Sequence, residues 1–155
     1  MPAKKLKEFL DNNHVKYVAI GHSAAYTAQE IAALAHVRGK ELAKTVMVKV
    51  NGKMAMAVLP ASYKVDISLL KTAAGAESLA LATEAEFKSL FPDCEGGAMP
   101  PFGNLYGMSV LVDATLAKDD EIAFNAGSHS ELIRMAYRDF ERLVRPAVVE
   151  FSTPR

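Results

Sequence analysis

The sequence predicts an α/β protein, a single domain in which a mixed, largely antiparallel sheet is flanked by helices. Three observations carry that prediction. Alternating apolar runs lie on either side of Asn51-Gly52, so the stretch around them reads as a β-hairpin with a tight turn. Helix-start signals recur among the strand-like runs, at Thr27, Asp66 and Thr83, a mixture that suits antiparallel pairing better than a doubly wound parallel sheet. The chain has 155 residues, 50% of them hydrophobic, which is enough to enclose one core and predicts no second domain.

Taken in order, Leu6, Phe9 and Leu10 recur at helical spacing and predict a short amphipathic helix that stops in Asp11-Asn12-Asn13. Its lysines, Lys4, Lys5 and Lys7, read either as a solvated face or as phosphate contacts, the solvated face being the plainer reading. Val15 to Ile20 reads as a strand. Thr27-Ala28-Gln29-Glu30 has the capping-box pattern, and Ile31, Leu34 and Ala35 supply a buried stripe for a helix running to about His36. In the hairpin, Val46, Val48 and Val50 alternate with Thr45, Met47 and Lys49; beyond the turn, Met54, Met56 and Val58 alternate with Lys53, Ala55 and Ala57. Period two sets Lys44 on the side of the valines, with Lys49 and Lys53 on the other.

Asp66 predicts an N-cap for a helix carrying Ile67, Leu70 and Ala74, stopped at Gly75. A short strand, Ser78 to Ala82, follows. Thr83-Glu84-Ala85-Glu86 repeats the capping box, with Phe87, Leu90 and Phe91 as the stripe behind it. Strands are then expected at Ser109 to Asp113, at Glu121 to Asn125 and, after a turn through Ala126 to Glu131, at Leu132 to Ala136. Phe140, Leu143 and Val144 suggest a final helix ended before Pro146, and Val148 to Phe151 a tail strand. The expected order is αβαββαβαβββαβ.

Bulk properties narrow the function. A formal net charge of +0 argues against a protein that coats nucleic acid nonspecifically, while leaving room for a few local cations at one nucleic-acid end. Cys94 is the only cysteine, which excludes an internal disulfide and a thiolate metal cluster. No apolar run approaches the roughly 20 residues of a membrane span, and the start does not develop a signal-peptide core, so a soluble cytoplasmic protein is expected. The chain has no Walker sequence, no G-x-G-x-x-G and no G-x-S-x-G elbow. The four histidines lack metal-ligand spacing; no metal and no cofactor are expected.

What remains is the stretch Glu95-Gly96-Gly97-Ala98-Met99-Pro100-Pro101-Phe102-Gly103, with three glycines and two prolines in nine residues. Such a stretch cannot lie inside a helix or a central strand, because proline removes a donor and glycine resists ordering. It predicts a stiff, partly apolar loop whose bare N–H groups suit a carbonyl or an oxyanion. Lys44 is the second feature: a lysine on an apolar strand face either snorkels to solvent or reaches a pocket beside the sheet. The third is the Gly127-Ser128-His129 turn. None of these is a strong nucleophile, a set that suits an already activated substrate.

Three segments, Leu42-Ala43-Lys44-Thr45-Val46-Met47-Val48-Lys49, Gly97-Ala98-Met99-Pro100-Pro101-Phe102-Gly103 and Ile122-Ala123-Phe124-Asn125-Ala126-Gly127-Ser128-His129, resemble in order and spacing the YbaK-type aminoacyl-tRNA deacylases. These are the free-standing relatives of the editing domain inserted in bacterial prolyl-tRNA synthetases, and the resemblance runs from about Thr27 to Arg145. It implies a trans-editing hydrolase that cleaves the ester of a mischarged aminoacyl-tRNA carrying a small amino acid. Partners would be the tRNA 3′ end and a synthetase. By the same resemblance Lys44, Gly97 and Pro101 would be the catalytic set, with Lys44 on the terminal phosphate and the loop amides on the ester carbonyl and water. Thr45, Met47, Ala98, Met99, Pro100, Phe102, Gly127, Ser128 and His129 would line the substrate. His129 and Ser128 read equally as structural, and Met47, Met99 and Phe102, taken singly, read more often as core. One departure is the Pro100-Pro101 pair, which stands where many relatives have a hydroxyl residue and bears on which amino acid is accepted. The competing reading is a non-catalytic aminoacyl- or nucleotide-binding module associated with a synthetase; a structural adaptor with a vestigial pocket is a third.

Overall fold

A computed structural model describes residues 4–21, 41–95, 98–128 and 130–154. The N-terminal helix, Lys4–Asn12, buries Leu6 and Leu10 as their spacing demands, and His14 (φ 57°) turns the chain into strand β1, Tyr17–Gly21. The helix expected from Thr27 to His36 lies outside the described residues. β2 (Ala43–Val50) and β3 (Lys53–Pro60) then pair antiparallel without a break, from Ala43 with Pro60 to Val50 with Lys53. Asn51 (φ 51°) and Gly52 (φ 83°) both adopt the left-handed conformation that a two-residue hairpin turn requires.

That register corrects one expectation. Cross-strand partners share a face, so Lys53, opposite Val50, lies on the valine side and not with Lys49. On the valine face Leu59, Ala57 and Ala55 stand opposite Lys44, Val46 and Val48, while Met54, Met56 and Val58 share the side of Met47.

After β4 (Tyr63–Val65) comes the helix Ile67–Ala73, whose first turn is capped by Asp66 accepting from the Leu69 N–H at 3.0 Å. β5, Leu79–Leu81, pairs with the far end of β2. Both arms of the predicted capping box are present, Glu86 N–H donating to the Thr83 hydroxyl and Thr83 N–H to the Glu86 carboxylate. This helix, Glu84–Phe87, lasts one turn and tightens into a 3₁₀ turn at Lys88–Leu90. The tightening breaks the expected stripe: Phe91 is buried, but Leu90 is 42% exposed.

β6 (Ser109–Asp113) joins β3 in parallel, and β7 (Glu121–Asn125) and β8 (Glu131–Ala136) form an antiparallel pair with β1 outside β8. The last long helix, Tyr137–Val144, ends at Arg145 (φ 53°). The expected single tail strand is two, β9 (Ala147–Val149) and β10 (Ser152–Pro154), interrupted because Phe151 dips fully into the core. Strand orders are β5-β2-β3-β6-β9, β1-β8-β7 and β10-β4, so the architecture is mixed and mostly antiparallel as predicted.

A parallel bridge between Leu42 and Ala123 joins the two larger sheets at the start of β2. One face of the combined surface carries the principal core: Ala43, Met47, Met56, Val58, Phe124 and Ile133 among others, with Phe102 and Phe140 stacked edge to face at 5.4 Å. The opposite face carries two smaller clusters, Val48, Ala57, Leu59, Leu70 and Phe151 in one, Leu42, Ala123 and Leu132 in the other. Asp113 is 2% exposed and accepts from the N–H groups of Thr115, Phe151 and Ser152 at 3.0, 2.9 and 3.0 Å, so one carboxylate caps a short helix and pins the tail.

Candidate functional site

Lys44 is the second residue of β2, opposite Leu59 and two positions past the Leu42–Ala123 bridge. Alternation sets it on the face of the smaller clusters, between Leu42 of one and Val46 of the other. It is half-buried and has an interaction within the chain. Thr45 and Met47 alternate with Lys44, and Met47 is 3% exposed in the principal core on the other side of the strand.

The glycine-proline stretch is a buried segment, from Ala98 through Met99, Pro100, Pro101 and Phe102 to Gly103. Phe102, fully enclosed, anchors it among the rings of Phe9, Phe124 and Phe140 at 6.1, 5.6 and 5.4 Å. Gly103 lies so close to the next strand that a β-carbon there would stand 2.7 Å from the Met108 carbonyl oxygen and 2.7 Å from Val110 Cγ2. The loop is therefore fixed from one end by packing that the Gly/Pro count alone does not supply.

Its other end is laced to the turn between β7 and β8. The Glu95 N–H donates to the Gly127 carbonyl at 2.8 Å, the Gly127 N–H to the Ala98 carbonyl at 2.8 Å, and the Ala98 N–H closes a turn onto the Glu95 carbonyl at 3.0 Å. Gly127 adopts φ 91°, a conformation that side-chain-bearing residues rarely reach. Ser128 lies half-buried, its hydroxyl 2.7 Å from that of Ser130 and accepting the Ser130 N–H at 3.1 Å, so its role here includes shaping the turn. Gly97 and His129 lie outside the described residues.

Two junctions thus gather the three sequence segments at one end of the molecule. The bridge sets the start of β2 beside β7, and Gly127, just past β7, is laced to Glu95 and Ala98. Met47, Met99 and Phe102 are not together with Lys44: all three belong to the principal core.

Several pairings were not legible in the sequence. Lys7 of the N-terminal helix pairs with Glu131, the first residue of β8, at 2.9 Å, and Lys5 donates to the Leu105 carbonyl at 2.7 Å while lying 4.6 Å over the Tyr106 ring. Those lysines brace the loop and turn from outside. Cys94, just before the loop, lies 3.6 Å from the Tyr106 hydroxyl; burial, the largest influence, raises the thiol above its ordinary range and opposes a nucleophilic thiolate. No group of three or more His, Cys, Asp or Glu able to hold a metal is present among the described residues. A groove of about 890 Å³ between Val50, Lys53, Tyr106 and Ser109 lies at the hairpin tip, the end of β2 remote from Lys44.

Residues 22–143 match the aminoacyl-tRNA editing domain family. The multifunctional Ser/Thr-tRNA deacylase ProXp-y of Escherichia coli (strain K12) is 30% identical over 156 aligned positions, 96% of this chain and 91% of that protein, and the same protein of Escherichia coli O157:H7 matches equally. Among solved structures, one described as a candidate trans-editing enzyme for prolyl tRNA synthetase superposes with a TM-score of 0.84 at 19% identity, covering 98% of this chain and 97% of that one. A hypothetical protein's crystal structure gives the same TM-score at 22% identity, covering 97% of this chain and 100% of its own.

Proposed function

This chain belongs to the aminoacyl-tRNA editing domain family and is an aminoacyl-tRNA deacylase, and from that premise we propose that it acts in trans, in the cytoplasm, on mischarged tRNA carrying a small amino acid. Seryl and threonyl esters are the first substrates to expect, by analogy with the Escherichia coli relative. The observation that carries the mechanism is the lacing of Glu95 and Ala98 to Gly127, beside the strand that carries Lys44.

An aminoacyl ester is an activated acyl group, so water attacks it once the carbonyl is held and the water placed. In this reading, main-chain N–H groups of the Gly97 to Pro101 loop meet the carbonyl oxygen as negative charge develops on it. Pro100 and Pro101, locked in φ and buried, spare those donors any reorganisation during reaction. The Lys44 ammonium holds the phosphate of the terminal nucleotide. Gly127 and Ser128 border the same end, and His129 is assigned a hydrogen bond to the substrate or the loop. Met47 and Phe102 support the loop from the core and do not touch substrate.

The test is a panel of tRNAs charged with serine, threonine, alanine and proline, following release of the amino acid. Hydrolysis of at least one small aminoacyl ester is expected, with Lys44→Ala lowering kcat/KM by about 100-fold or more, the loss of a charge-assisted contact in a desolvated site. Binding of these tRNAs without turnover of any would leave a binding module in place of an enzyme.

A further inference from the structure

Arg134 stands in the middle of β8, opposite Ala123 of β7 on one side and Val18 of β1 on the other. Because cross-strand partners share a face, and Ala123 is bridged to Leu42, the Arg134 side belongs to the same sheet face as Lys44. Ile133 and Met135, its neighbours along the strand, turn to the principal core on the other side, as alternation requires. Asn125, two residues past Ala123 on the intervening strand, is on this face as well, level with Lys44.

We infer that Arg134, with Asn125 between it and Lys44, forms a second phosphodiester subsite for the single-stranded 3′ end of the RNA; the inference rests on the function proposed above. Two strand spacings sideways and two residues along place the Arg134 and Lys44 α-carbons about 12 Å apart. That suits successive backbone groups of one strand better than a single phosphate. Arg134 is half-buried and has an interaction within the chain, and its guanidinium carries five N–H donors in a planar fork that matches a phosphate. Val18, opposite Arg134 on β1, is 47% exposed, so Arg134 opens to solvent on its β1 side. With a net charge of +0 the chain attracts a polyanion only where cations are gathered, and this face gathers two.

The experiment measures binding of a labelled, uncharged acceptor-stem minihelix with a single-stranded 3′ end across 50–300 mM KCl. The proteins are the intact chain, Arg134→Gln, Arg134→Lys and the Arg134→Gln/Lys44→Gln pair, with thermal unfolding of each and deacylation kinetics alongside. The expected result for Arg134→Gln is about tenfold weaker binding and a log–log salt slope shallower by about 0.7. The double variant should lose about twice that slope, Arg134→Lys should restore it, and KM should rise more than kcat falls. An intact chain that hydrolyses its ester while Arg134→Gln, folded, keeps the full salt slope overturns the subsite and leaves the function standing. An intact chain that never hydrolyses but shows the Arg134-dependent slope supports the subsite and overturns the enzyme. Weak binding by Arg134→Gln with an unchanged slope, unrelieved by lysine, assigns Arg134 a structural role and also overturns it.

Discussion

Gly103 has backbone on one side and a packed methyl on the other, and neither can retreat far. A β-carbon 2.7 Å from the Met108 carbonyl oxygen would force the loop or β6 to move. Gly103→Ala should therefore cost about 1–3 kcal/mol in urea unfolding, and should lower deacylation in the folded fraction because the displaced segment is the proposed carbonyl-holding loop. Glu86 gives a prediction of a different kind. Its carboxylate pairs with Lys49 and closes the capping box, and the Lys49 ammonium is the main reason that its pKa is pulled down to about 2. A depressed carboxylate contributes stability above its unfolded value and loses it as pH falls through the folded one. The thermal midpoint of the intact chain should thus approach that of Glu86→Gln between about pH 4.5 and pH 2, and stay above it at pH 6; a constant gap across that range would disprove the coupling.

Elements with a local cause were legible in the sequence. Asn51-Gly52, Asp66, Thr83 and the Leu6/Leu10 spacing each name their own hydrogen bonds or buried face, and each element forms where they stand. Elements whose cause is distant were not. β4 has three residues and exists because β10, nearly ninety positions later, pairs with it. The break between β9 and β10 exists because Phe151 is drawn into the cluster of Leu59 and Leu70. The same division runs through the site. Glycine and proline content identified the loop, but its lacing to Gly127 and the brace from Lys7 are long-range pairings that no spacing rule encodes. Asp113 looked like a strand exit and is also a clamp. Asp113→Ala would leave one buried and two part-buried N–H groups without their acceptor, and should lower stability by about 3 kcal/mol, with increased amide exchange at Phe151 and Ser152 measured by NMR.

At the scale of the whole molecule, the candidate site occupies the seam where two sheets touch through Leu42 and Ala123. The seam explains how segments separated by about twenty to seventy residues converge without a helix to carry any of them. It also separates labour between faces, aromatic and methionine packing beneath and the smaller apolar clusters flanked by Lys44 and Arg134 above. Main-chain hydrogen bonds tie Glu95 and Ala98 to Gly127. Amino-acid replacements at the first two positions leave those contacts chemically intact, whereas a side chain at Gly127, held at φ 91°, would strain them.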